Sequence, residues 1–229
     1  MPKLSTPPLS HIDALQYRLV ASHFPPIRLF EHLLDASELD AAYALEALTN
    51  PRLRDEAGDI RLVAPDERVV GPGSSVVMAA FTHTGFPSRF SDGSYGAYYA
   101  GLSLDVAIAE TIYHRERFLS ATQEPACTIT LRCYSSRLTQ PLHDIRGKAY
   151  NAQHDANDYS AAQKFSRDIR AQESWGLHYR SVRRSGGECV AIFRPKALKN
   201  VRQGLHYAYV WDGERIRDVL QVKRVEIER

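Results

Sequence analysis

The spacing of apolar positions changes along the chain. Over residues 27–49 they recur at helical intervals, first Leu29, Phe30, Leu33 and Leu34, then Leu39, Ala42, Tyr43, Leu45 and Leu48. Two helices are expected there, the second capped by Asp35 or Ser37 and ended at Asn50-Pro51. A further short helix is expected around His11–Ser22, between Pro7-Pro8 and Pro25-Pro26. Residues 1–55 thus read as a helical N-terminal extension too short to bury its own core, with 56–229 as the main domain.

From Gly58 the texture turns to strands and turns. Ile60–Val63 is a short strand candidate stopped by Pro65, and Ser75–Thr82 fits a buried strand or a helical turn equally. Cys127, Ile129, Leu131 and Cys133 alternate as on a half-buried strand. Asp158–Glu173 is an amphipathic helix with Tyr159, Ala162, Phe165 and Ile169 inward. Two hairpins follow, Leu177–Arg183 with Glu188–Phe193 across Ser185-Gly186-Gly187, and Leu205–Trp211 with Arg215–Val222 across Asp212-Gly213. Many short strands, a few helices and no βαβ series place the chain in the α+β class.

Residues 89–114 hold the densest candidate chemistry. Arg89 stands beside a turn, Ser91-Asp92-Gly93-Ser94, and a strand is expected from Tyr95 to Ala100. Gly101 breaks it. Ser103 sits where an N-cap belongs, Asp105 suits the first turn, and Leu104, Ala107, Ile108, Thr111 and Ile112 continue at helical spacing. Glu110 flanks that apolar stripe, so partial burial is expected. A buried carboxylate without a partner costs several kcal/mol, so such a Glu is usually paired or functional. Arg89 fits either a bidentate phosphate holder or a solvated turn residue. Tyr98 and Tyr99 point to opposite faces, so one can stack on a flat ring while the other packs in the core, with core packing for both as the alternative.

Composition narrows the partners. The 229 residues carry 29 basic and 27 acidic side chains, a net charge of +2. That balance argues against direct nucleic-acid binding and against an anionic membrane. Three cysteines, none in a CxxC pair, point away from a disulfide framework or a cysteine zinc site. No apolar run nears the roughly 20 residues of a membrane span. No signal-peptide core is visible, so the expected location is cytoplasmic. The nine histidines are scattered, which supports no metal site, and no phosphate-loop, dinucleotide or hydrolase-elbow motif occurs. Ser181, on a strand, has no His–Asp order around it that would suggest a triad.

Arg89-Phe90, Gly93, Tyr98-Tyr99-Ala100, Ala107 and Glu110, followed by Tyr179-Arg180-Ser181 and Arg194-Pro195, resemble the core pattern of the RES domain. The resemblance covers about residues 58–195 and makes 56–229 a RES domain of a longer subgroup. It implies an ADP-ribosyltransferase-like fold, with a mixed, mostly antiparallel β core and flanking helices. It also implies a toxin of a bacterial toxin–antitoxin pair, with an Xre-type helix-turn-helix antitoxin as partner. The reaction implied is cleavage of NAD⁺ at the nicotinamide–ribose bond. NAD⁺ is then the substrate, no separate cofactor is needed, and phosphate, water or a protein side chain is the acceptor. By the same resemblance Arg89 holds the pyrophosphate, Tyr99 (with Tyr98) brackets the nicotinamide, Glu110 stabilises the ribosyl cation and Ser181 positions the ribose or the phosphate. Arg68 stands for the family's upstream arginine, with Arg61 as its rival. Simple members carry Asn-Pro where this chain has Arg194-Pro195, which leaves phosphorolysis, hydrolysis and protein ADP-ribosylation all open. Residues 1–55 are open to roles in antitoxin contact or in a homodimer.

Overall fold

The computed structural model describes residues 6–21 and 58–223. Nine strands form one sheet: β1 (Leu9–Ser10), β2 (Gln16–Ala21), β3 (Tyr98–Gly101), β4 (Cys127–Leu138), β5 (Leu142–Asp144), β6 (Gly176–Arg180), β7 (Glu188–Ile192), β8 (Leu198–Trp211) and β9 (Ile216–Val222). Their order is β1-β5-β6-β7-β3-β2-β4-β8-β9. All neighbours are antiparallel except β5 and β6. Among the described residues three α-helices flank the sheet, α1 (Ser74–Thr82), α2 (Leu104–Ala121) and α3 (Ser160–Arg170). This is the mixed, mostly antiparallel α+β architecture expected. None of these helices is long and apolar enough to cross a membrane.

The two-residue period of the strands sorts side chains onto two faces. On β7, Val190 and Ile192 join one cluster with Val77, Met78 and Phe81 of α1 and with Tyr98. Cys189 and Ala191 point the other way. That second face carries two separate clusters. One gathers Phe90, Leu177, Tyr179 and Ala191 under Ala162 and Ile169 of α3. The other gathers Leu19, Leu131, Tyr209 and Trp211 under Ala107 and Leu119 of α2. Helix α2 spans the gap between them, since Val106 packs into the first and Ala107 into the second. Phe90, Tyr98, Tyr209 and Trp211 are fully buried. Truncating any one of them to Ala is expected to cost about 3–5 kcal/mol.

Several expectations are corrected. The segment read as a helix at His11–Ser22 contains strand β2, which pairs with β3 at Tyr17 and with β4 from Gln16 to Ala21. Its side chains alternate, Leu19 into the α2 cluster and Val20 into the α1 cluster. That is the strand period, which a short window between prolines concealed. Leu9–Ser10 and Gln16–Ala21 therefore belong to the sheet and not to a helical extension. Ile60–Val63 is a 3₁₀ turn over Ile60–Leu62 whose cap, Asp59, accepts from Arg61 N. Ser75–Thr82 is helical and forms most of α1. The stripes expected over residues 27–49 lie outside the described residues.

Candidate active site

Where the second face divides, a cleft of about 290 Å³ opens between β3 and α2. Arg89, Tyr99, Glu110, His114, Tyr179 and Cys189 are among its walls. Four pieces of local structure place them. The Ser91–Ser94 turn is tied by Asp92, whose carboxylate accepts from Ser94 N and Ser94 Oγ. These bonds and Arg167 hold the Asp92 carboxyl down at about 2. Gly93 takes φ 95°, a left-handed conformation that suits glycine. At Gly101 the strand passes so close to α2 that a Cβ would stand 2.7 Å from Ala107 N. Ser103 takes the N-cap position of α2, but its hydroxyl donates to the Asp105 carboxylate and caps no backbone N–H of the helix.

Glu110 and Ser181 meet. Ser181 Oγ donates to Glu110 Oε1 at 2.6 Å, and Ser181 Oγ itself accepts from Arg183 N at 3.1 Å and Arg184 N at 3.0 Å. Both acceptor positions of the hydroxyl are thereby used, and its proton is directed at the carboxylate. Ser181 stands just past the rim of the cleft. It lines a second depression of about 560 Å³ with Arg146, His154 and Arg180.

Arg89 is buried and gripped from one side. Its Nη1 donates to Gln153 O at 3.3 Å and Asp155 O at 2.6 Å. Its guanidinium lies 4.5 Å from the centre of the Tyr159 ring. Among the described residues these carbonyl bonds use Nη1 alone, leaving Nε and Nη2 to a ligand. Tyr99 is fixed as firmly: its hydroxyl bonds Ser88 Oγ at 2.7 Å and accepts from Phe90 N at 3.0 Å. Burial pushes its phenol up to about 12. Tyr179 packs edge-on against Phe90 at 4.8 Å. Burial raises the Cys189 thiol strongly, so the cleft's one lining cysteine stays protonated and is a poor nucleophile. Burial also lowers the pKa of His114, one helical turn from Glu110, against the pull of that carboxylate.

Of the residues singled out in the sequence, Arg89, Tyr99, Glu110 and Ser181 are brought together, and Tyr98, Arg68 and Arg61 are not. Tyr98 is fully buried on the α1 face, where strand alternation must send it once Tyr99 faces the cleft. Arg68 is buried beside the 3₁₀ turns, with Nε donating to Val63 O at 3.0 Å. Arg61 is exposed and paired with Asp59 at 2.8 Å. Three further residues at the cleft escaped the sequence reading. Arg18 was hidden in the segment read as helix; its Nη1 donates to Tyr99 O at 3.1 Å and its guanidinium lies 4.7 Å from the Tyr98 ring. Tyr179 had a visible signal, since it shares a strand face with Ser181 two residues on. His114 had one too, four residues after Glu110 on the same helix face.

Residues 66–212 match the family model of the RES domain. The chain belongs to the RES-domain family. Arg68, Arg89, Tyr99, Glu110 and Ser181 fall within the matched span, whereas Arg61, β1 and β2 precede it. The RES sheet of this chain thus takes an inner strand, β2, from upstream of the matched span. A relative described as uncharacterized protein y4oC, from Sinorhizobium fredii, is 28% identical over 213 residues, covering 87% of this chain and 84% of its own. A similar solved structure is the M. tuberculosis MbcT–MbcA toxin–antitoxin complex, at TM-score 0.46 and 10% identity, over 93% of this chain and 86% of that one.

Proposed function

We propose that this RES protein is the toxin of a toxin–antitoxin pair and that it cleaves NAD⁺ at the nicotinamide–ribose bond. The observation that carries the reading is the 2.6 Å bond from Ser181 to Glu110 beside a cleft walled by Arg89 and Tyr99. Arg89 offers Nε and Nη2 to the pyrophosphate, a planar fork suited to two oxygens. The Tyr99 and Tyr179 rings bracket the flat nicotinamide. Glu110 has its Oε1 held by Ser181, which turns Oε2 toward a ribose hydroxyl. As the C–N bond breaks, its electron pair leaves with neutral nicotinamide and positive charge develops on the ribose. A fixed carboxylate stabilises that charge more than it stabilises bound NAD⁺, which is what lowers a barrier. The acceptor is phosphate or water in preference to a protein side chain, and it gives up a proton as it joins the ribose. An Xre-type helix-turn-helix protein is the expected antitoxin, acting in the cytoplasm.

The test is incubation of the purified protein with NAD⁺, with and without inorganic phosphate. Released nicotinamide is quantified and the ribosyl product is weighed by mass spectrometry. ADP-ribosyl phosphate identifies phosphorolysis and ADP-ribose identifies hydrolysis. Label transferred only to added protein identifies ADP-ribosylation.

A further inference from the structure

His154 lies outside the NAD⁺ cleft, yet it sits between the two halves of its support. The carbonyls that hold Arg89 belong to Gln153 and Asp155, the residues on either side of it. Its own ring reaches the end of β6. Nδ1 is 2.8 Å from Tyr150 O, and Nε2 accepts from Arg180 N at 3.1 Å. A carbonyl can only accept and a backbone N–H can only donate, so the ring is neutral, with its proton on Nδ1. The Arg180 N–H needs this acceptor because β5, the parallel neighbour of β6, stops at Asp144 opposite His178. His154 takes the place of a strand there, one residue before Ser181.

We propose that His154 is a positioning residue: its ring staples the 148–158 segment to the end of β6 and so fixes the carbonyls that grip Arg89. The proposal rests on reading Arg89 as the pyrophosphate anchor. One side chain then sets the distance between the anion holder and the strand that delivers Ser181 to Glu110. Protonation of Nε2 would set a donor against the Arg180 N–H and open the staple.

The surroundings favour the closed form. Burial above all opposes an imidazolium, and Arg180 from β6 and Arg89 from the turn add to it, against the Tyr150 carbonyl, so the His154 pKa is lowered from its ordinary 6.5. The Tyr179 ring is 6.3 Å away. The nearest carboxylate in sequence, Asp155, is engaged by Asn157 N and Asp158 N.

The test compares the wild type, His154→Ala and His154→Gln. Gln keeps one acceptor and one donor but does not titrate. Nitrogen-15 spectra of the histidine rings should show His154 protonated on Nδ1 at neutral pH. Exchange of the Arg89 guanidinium protons, assigned by their loss in Arg89→Lys, should quicken about 10-fold or more in His154→Ala and be largely restored in His154→Gln. In turnover, His154→Ala should raise KM for NAD⁺ about 10-fold or more with little change in kcat, because ligand anchoring and not chemistry is disturbed. His154→Gln should recover most of that affinity and lose the acid limb of kcat/KM below pH 6.5. A proton on Nε2 at neutral pH, or unchanged Arg89 exchange in folded His154→Ala, overturns the proposal. So does an acid limb that survives in His154→Gln, which then belongs to another group such as His114. The proton-exchange arm decides the matter even if the wild type releases no nicotinamide, a result that would sink only the NAD⁺ reading.

Discussion

Ser181 Oγ donates to Glu110 Oε1 across 2.6 Å, joining residues 71 positions apart. The bond fixes one carboxylate oxygen and leaves the other to a ligand. Glu110→Gln keeps an acceptor for Ser181 while removing the charge. Nicotinamide release is expected to fall on the order of 10²-fold or more. Thermal unfolding should shift by only a few degrees. A variant that turns over normally would remove Glu110 from the chemistry.

Ser181→Ala combines two effects. It frees the Glu110 carboxylate and strips the acceptor from Arg183 N and Arg184 N. These donors are only partly buried, so their loss costs less than the about 1–3 kcal/mol of a fully buried donor left without an acceptor. Denaturant unfolding should show that loss, and turnover should fall with it. Unchanged stability would mean that this turn finds its acceptor elsewhere.

Arg89→Lys retains charge and loses the fork. Gln153 O and Asp155 O then compete for a single ammonium, and stacking on Tyr159 weakens. Affinity for ADP-ribose, measured by calorimetry, is expected to drop about 10-fold or more. Equal affinity would place the pyrophosphate elsewhere.

Tyr99→Phe leaves the ring in the cleft and deletes the bonds to Ser88 and Phe90 N. Stability should fall by about 1 kcal/mol while nicotinamide release largely persists. The phenol also predicts an alkaline limit. Its pKa is about 12 in the fold against an ordinary 10.0. The unfolded chain therefore ionises first, and stability present below pH 10.0 is lost as pH rises toward about 12. Titration of the Tyr99→Phe variant should show a shallower loss over that range.

Gly101→Ala tests the close approach of β3 to α2. The added methyl would meet Ala107 N at 2.7 Å and Ser103 O at 3.0 Å, both backbone. The start of α2 must move, at a cost of about 1–3 kcal/mol. Turnover should fall more than stability implies, because Glu110 moves with the helix.

Much of this site could be read from the sequence because its parts are local. The Ser91–Ser94 turn and the α2 helix announce themselves by turn residues or period, whereas the strand expected over Tyr95–Ala100 runs instead over Tyr98–Gly101, because Gly101, read as a breaker, still pairs with Cys189 and Tyr17. Ser181 is not local to this stretch and enters the site only through the family pattern, and its bond to Glu110 is a finding of the structure. Strand β2 was missed because six residues, half polar, show too little alternation to outweigh the expectation of a helix. Its misreading hid Arg18. Tyr98 was placed one residue too generously: alternation allows only one of two adjacent tyrosines into the cleft. Order along the chain points to Arg68, whereas the structure holds it beside two 3₁₀ turns with its Nε on Val63 O.

The most direct measurement is nicotinamide release from NAD⁺ by purified wild type and Glu110→Gln, run side by side with phosphate, without it and with protein acceptors. The expected result is release by the wild type in at least one condition and none above background by the variant. No release by the wild type under any condition, or equal release by both proteins, would contradict NAD⁺ cleavage at Glu110.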